Sequence, residues 1–123
     1  MTTKADRQRR DAAGRRAEFM SAWLLRLKGY RVLAQRFKTP VGEIDLIARR
    51  ASTVAFIEVK ARRDQAAAAE SITPRQRDRI QRAAQAFLQA RPSLAGLDQR
   101  FDAILISPAR WPVHLVDAWR PEL

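Results

Sequence analysis

Between Gly42 and Lys60 two apolar runs, Ile44-Asp45-Leu46-Ile47-Ala48 and Val54-Ala55-Phe56-Ile57-Glu58-Val59, flank the short basic segment Arg49-Arg50-Ala51-Ser52. Branched and aromatic residues in runs of this length predict strands, and so short an interruption predicts a hairpin. The turn lacks an Asn-Gly or Asp-Gly pair, so the register has to be argued from loop length. A two-residue loop at Ala51-Ser52 sets Arg50 against Thr53 and, counting back along both strands, Asp45 against Glu58. Their Cβ atoms would then be about 5 Å apart. Lys60 follows Glu58 by two residues and shares its face of the strand. Like charges facing each other destabilise a sheet unless a cation lies between them. A divalent metal with a lysine beside it satisfies that constraint. The alternative is an ordinary solvated strand face.

With 123 residues, 46% of them hydrophobic, the chain has the size of one domain and can bury a core without staples. There are no cysteines, which excludes disulfides, thiolate zinc sites and cysteine nucleophiles. The charged N-terminus has no apolar stretch behind it, and no run approaches the roughly 20 residues of a membrane span. A cytoplasmic protein with no membrane partner is expected. Lys and Arg number 24 against 13 acids, a net +11, and such an excess favours polyanions, nucleic acid first. Charge alone speaks for binding and not for catalysis.

Residues 1–12 are polar and basic and are expected as a flexible N-terminal arm, leaving 13–123 as a single domain. From Ala13 to Lys28 the apolar positions Ala13, Ala17, Met20, Leu24 and Leu27 recur at helical spacing, with Trp23 widening the stripe that should be buried. Gly29 ends that helix. Tyr30–Phe37, Glu43–Ala48 and Thr53–Lys60 read as strands, with a turn at Thr39-Pro40-Val41-Gly42. Residues 61–72 read as a loop in which Ala66–Ala69 could form a helical turn. Thr73-Pro74-Arg75-Gln76 has the pattern of a helix start, threonine capping, proline in the first turn and glutamine closing a capping box. Arg100–Ser107 and Val113–Trp119 read as closing strands. The order helix, three strands, helix, two strands fits an α/β protein with a central mixed sheet of about five strands flanked by helices. The crossover through the second helix lets the fourth strand run parallel to the third.

Phosphodiester hydrolysis needs an activated water, neutralised phosphate charge and help for the leaving oxygen, and carboxylate-bound Mg²⁺ or Mn²⁺ can supply all three. Asp45 and Glu58 are the expected metal ligands, with the Val59 carbonyl as a third, and Lys60 is placed to stabilise charge on the phosphate. Glu18, on the first helix, could be aimed at the same cluster. Glu43, one pleat before Asp45, is expected as a secondary ligand or as a partner for Lys60. Arg62, Arg63, Arg75, Arg77, Arg79 and Arg82 are candidates for backbone phosphate contacts, with Asp78 available to pair locally, and Gln76 reads by itself as a capping residue. Arg100 and Asp102 share a strand face and are expected to pair structurally. His114, the sole histidine, has no second ligand nearby in sequence and is not expected to act as a base. Trp23, Trp111 and Trp119 are expected in the core or at its rim.

Together, Gly14-Arg15-Arg16-Ala17-Glu18, Gly42-Glu43-Ile44-Asp45-Leu46-Ile47-Ala48, Phe56-Ile57-Glu58-Val59-Lys60-Ala61-Arg62, Thr73-Pro74-Arg75 and Arg100-Phe101-Asp102 resemble the YraN-like family of small bacterial proteins, a branch of the PD-(D/E)XK nuclease superfamily near the Holliday-junction resolvases. The resemblance runs from about Gly14 to Trp119. It implies a restriction-endonuclease-like core, Mg²⁺-dependent endonuclease cleavage of DNA, with branched or single-stranded structures as candidate substrates, and catalytic positions Glu18, Asp45, Glu58 and Lys60. Arg62, Arg63, Arg75, Gln76 and Arg79 are the expected nucleic-acid-binding positions, and a homodimer is compatible with a nuclease of this type. Ala17 stands where the family usually has glycine, Gln76 where a lysine is expected, and the Asp64–Ser71 segment lacks a typical Phe-Gly pair. A non-catalytic nucleic-acid-binding module on the same scaffold is the alternative.

Overall fold

The structure is a computed structural model that describes residues 3–64, 66 and 71–121. Its elements are helix α1 (Lys4–Leu27), strands β1 (Arg31–Thr39), β2 (Gly42–Arg50) and β3 (Thr53–Ala61), helix α2 (Pro74–Ala90), a 3-10 turn at Pro92–Leu94, and strands β4 (Asp98–Ile106) and β5 (Val113–Trp119). The strands form one sheet in the order β1-β2-β3-β4-β5. All neighbours are antiparallel except β3 and β4, which run parallel across the α2 crossover. This is the mixed α/β architecture that the order of elements predicted. The helical turn expected at 66–69 lies largely outside the described residues.

The sheet is covered on both faces. Against α2 pack Ile44, Ile47, Val54, Phe56 and Phe101, with Ile80, Ala84 and Phe87 from the helix. Leu46, Ala48, Ala55, Ile57 and Ile104 meet Ala22 and Leu25 of α1 on the other face. The central strand β3 is therefore buried on both sides, as a near-continuous apolar run requires. Turns close the sheet where expected. Ala51 takes a positive φ of 53° in the two-residue β2–β3 loop. Gly29, at φ 89°, lets the Tyr30 N–H return to the Leu25 carbonyl at 2.9 Å and end α1.

Three expectations need correction. The basic segment expected as a flexible arm is helical from Lys4, because Thr3 and Asp6 form a reciprocal capping box, with bonds of 3.1 and 3.2 Å, that starts the helix nine residues early. The buried stripe of α1 is also rotated. Ala17, Ser21, Ala22 and Leu25 face the sheet, while Met20, Trp23 and Leu27 are exposed, Leu27 by 81%. Small residues let the helix seat closely, and the Ser21 hydroxyl is satisfied by the Ala17 carbonyl at 2.8 Å. Finally, of the three tryptophans only Trp119 is in the core, its ring stacked on Phe101 at 4.3 Å, whereas Trp111 is 90% exposed.

Arg100 and Asp102 pair as their shared face predicted, through two 2.8 Å bonds. The fully buried Asp102 carboxylate also meets His114 Nε2 at 2.8 Å and accepts the Asp117 N–H at 2.9 Å. Burial opposes ionisation there, but the bonds from His114, Arg100 and Asp117 outweigh it and hold the carboxyl down at about 2. The network fills the irregularity where β5 departs from regular pairing with β4, opposite Asp102. His114 is thus structural.

At Gly42 the strand touches the opposite helix backbone to backbone. A Cβ there would lie 2.8 Å from the Arg79 carbonyl carbon and closer still to its oxygen. Gly42→Ala must push α2 away from β2, an overpacking that costs about 1–3 kcal/mol. Urea titration of both proteins checks this, with a lower midpoint expected for the variant.

Candidate active site

Asp45 stands where the sheet opens. The β2–β3 register runs from Arg50↔Thr53 to Leu46↔Ile57, which is the register of a two-residue loop, so the next pair is Asp45 and Glu58. Regular pairing stops there because the Val59 N–H donates to Asp45 Oδ2 at 2.8 Å instead of to a strand carbonyl. The N–H and C=O of a strand residue point to the same edge, so the Val59 carbonyl faces the same gap. On the other side, β1 pairing passes from Gln35↔Leu46 to Phe37↔Ile44, and Arg36, between them, takes a φ of 52°. Alternation is reset at this point: Ile44 and Ile47 join the core under α2, and Leu46 joins the core under α1.

The gap gathers charge from four elements. Glu58 is buried, and its Oε1 lies 3.4 Å from Lys60 Nζ, with side chains only 10% and 11% exposed. From α2, Gln76 Nε2 donates to the same oxygen at 3.1 Å. Glu18 comes from α1, held by Arg36 Nε at 2.6 Å. Glu18, Arg36, Lys38, Glu43, Ile44 and Asp45 line a cleft of about 220 Å³.

Electrostatics explains why this cluster is unusual. Burial above all, and then the neighbouring Asp45 carboxylate, push Glu58 up to about 8 against the pull of Lys60. Burial also raises Asp45; the Val59 N–H opposes the rise and the charge of Glu18 adds to it. The Asp45 charge thus bears directly on Glu58, and a proton on one of the two groups would relieve the repulsion. A cation at the same place would do the same work.

The fold thus brings Asp45, Glu58, Lys60 and Glu18 to one end of the sheet, with the Val59 carbonyl facing the gap. Glu43 is exposed in the adjoining cleft and makes no ion pair with Lys60, since the ladder has already opened. Arg62, Arg63, Arg75 and Arg79 are exposed near the same end. Arg82 pairs with Asp78 at 3.2 Å, and Arg77 turns away to lie over the Trp119 ring. Gln76 is not the capping residue its spacing suggested. Thr73 does accept the Gln76 N–H at 3.2 Å, but the amide side chain is spent on Glu58. Arg36 was not anticipated as part of the site, because its backbone conformation, which no local pattern announces, aims it at Glu18.

Residues 17–106 match the sequence model of the Uncharacterised protein family UPF0102. The chain belongs to this family. A UPF0102 protein of Parvibaculum lavamentivorans is 58% identical over 108 residues, covering 88% of this chain and 81% of its own. One from a Chelativorans species is 49% identical over 112 residues, covering 91% and 90%. Another, from a Bradyrhizobium strain, is 57% identical over 106 residues, covering 86% and 75%. The UPF0102 match spans α1 from Ala17 through the end of β4, and so takes in every acid of the cluster. This is the YraN-like family to which the sequence motifs pointed.

The shift at Glu58 predicts how stability follows pH. Below the unfolded value of 4.5 both states are neutral and nothing is lost. As pH rises from there, the unfolded carboxyl ionises first, so stability falls until the folded group ionises near 8. Thermal unfolding between about pH 5 and 8, without divalent metal, should show this decline, and Glu58→Gln should flatten it. An identical slope in the variant would place its origin elsewhere.

Proposed function

We propose that this chain is a divalent-metal-dependent endonuclease that hydrolyses phosphodiester bonds in DNA. The observation that carries the reading is the facing of half-buried Asp45 and buried Glu58, where burial and the Asp45 charge push the Glu58 carboxyl up and Lys60 stands beside it. The donors fit Mg²⁺ or Mn²⁺. All are hard oxygens, and since among the described residues no group of three or more His, Cys, Asp or Glu stands close enough to hold a metal ion, the candidate set is two carboxylates and a carbonyl. Two carboxylates plus a backbone carbonyl suit Mg²⁺, which keeps several waters and also takes substrate phosphate oxygens. In this reading Asp45, Glu58 and the Val59 carbonyl hold the ion. Bound there, it would polarise the phosphate and lower the pKa of an attacking water.

The remaining roles belong to side chains. Lys60, nearly buried, offers its ammonium to charge developing on the phosphate, in a setting where water screens it little. Gln76 fixes the Glu58 carboxylate in orientation without adding charge. Glu18, steered by Arg36, extends the acidic rim. Arg62, Arg63, Arg75 and Arg79 hold backbone phosphates by a salt-sensitive attraction that reads no sequence. Among the described residues no helix is long and apolar enough to cross a membrane.

Purified protein incubated with Mg²⁺ or Mn²⁺ and labelled junction, flap, single-stranded and duplex DNA tests this directly. Cleavage is expected, with Asp45→Ala, Glu58→Ala and Lys60→Ala each slowing it about 100-fold or more. Calorimetry should show divalent binding that Glu58→Ala abolishes. Binding without cleavage by the wild type would leave a nucleic-acid-binding module on this scaffold, and equal cleavage by Glu58→Ala would show that the activity does not come from this site.

A further inference from the structure

Beside the carboxylates, at the same end of the sheet, lies a second and larger groove of about 1070 Å³. It runs between α1, the end of β3 and the β4–β5 loop, and its wall includes Arg16, Met20, Arg62, Arg63, Arg110 and Trp111. Four of these six are arginines, and among the described residues no acid lines the groove. The rest of the lining is largely apolar, with Ala13, Ala17, Ala61 and Ile106 on its floor and walls. The Trp111 indole is 90% exposed. Folding would ordinarily cover so large an apolar side chain, and here the loop holds it out. Pro108 and Pro112 bracket the loop, and Ala109 takes a φ of 57° between them. Proline fixes its own φ and restricts the residue before it, so Trp111 is confined to extended backbone.

We infer that this groove binds a single-stranded nucleic acid, with an unpaired base stacked on Trp111 and the flanking phosphates held by Arg16, Arg62, Arg63 and Arg110. A polyanion matches the charge of the walls. The aromatic platform and apolar lining match a base face, which a paired duplex keeps inside its stack. Grooves that join a basic track to an aromatic platform bind single strands without reading sequence. The placement also serves cleavage. Ala61 and Arg62 follow Lys60 on β3 and its exit, about 7 Å away along an extended chain, and that is close to the span of one nucleotide. Arg16 and Ala17 likewise precede Glu18 on α1. A strand lying in the groove would therefore enter the acidic gap. The inference rests on the nucleic-acid reading above and names its substrate as an unpaired segment.

The test measures binding of full-length protein, in EDTA so that nothing is cut, to labelled single-stranded and duplex oligonucleotides of equal length. Trp111→Ala should weaken single-strand binding about tenfold and leave duplex binding unchanged. Trp23→Ala, which removes another exposed indole outside the groove, should change neither. Arg62→Ala and Arg110→Ala should each lower the salt dependence of single-strand affinity by about 0.7 in logarithmic slope. Wild-type levels of single-strand binding by Trp111→Ala, or an equal loss for single strand and duplex, would overturn the assignment, as would no single-strand affinity in the wild type. Because metal is absent, the outcome is separate from cleavage: a protein that binds through Trp111 but never cuts refutes only the nuclease reading. One that cuts normally with Trp111→Ala and binds as before refutes only the groove.

Discussion

Asp45 takes the Val59 N–H that a regular ladder would have given to a β2 carbonyl, and much of the molecule follows from that single exchange. It stops β2 and β3 from pairing at the place where their acids face each other. The strands can then part around the two carboxyl groups instead of forcing them into a flat sheet. Below that point five consecutive register pairs and two covered faces hold the strands together. Stability is concentrated in the apolar half of the sheet, and electrostatic strain is confined to the end where it can be used. Unpaired buried charge is among the costlier features a fold can carry. Two such groups side by side are tolerated only where something positive is near, which here is Lys60.

The two helices make different contributions to that end of the sheet. α1 seats through alanines, a serine and one leucine, so its backbone comes close to the strands and brings Glu18 down to the rim. α2 reaches the site from the other face through Gln76. At the far side of β4 a second buried acid, Asp102, has the opposite character. Three donors surround it and hold it ionised near pH 2 and above, whereas Glu58 is left short of donors and resists ionisation to about 8. Two buried carboxylates in one small sheet thus differ by their partners: one is a fastener, the other is poised for chemistry.

Much of this was legible in the residues. The Asp45–Glu58 register followed from the length of one loop, and Lys60 from strand alternation, because both are consequences of backbone period. The α2 start was visible because Thr73 and Pro74 act locally. The readings that failed depended on contacts distant in sequence. The helical spacing of Met20, Leu24 and Leu27 was real, but which face of α1 meets the sheet is decided by how closely the backbone can approach, and Ala17, Ser21 and Ala22 approach best. Gln76 looked like a cap because its spacing from Thr73 is that of a cap; its actual partner lies on β3. A capping box at Thr3-Asp6 was present in plain view and was overshadowed by the polar composition around it.

Gly42 has a consequence for how such proteins can diverge. Since helix and strand meet there main chain to main chain, no side chain serves as an adjustable spacer between them. The first two turns of α2 can exchange one cationic or amide group for another while the helix remains docked at the same height over the acids. Chemistry at the helix tip and seating of the helix are thereby decoupled, and sequence drift in the former need not disturb the latter.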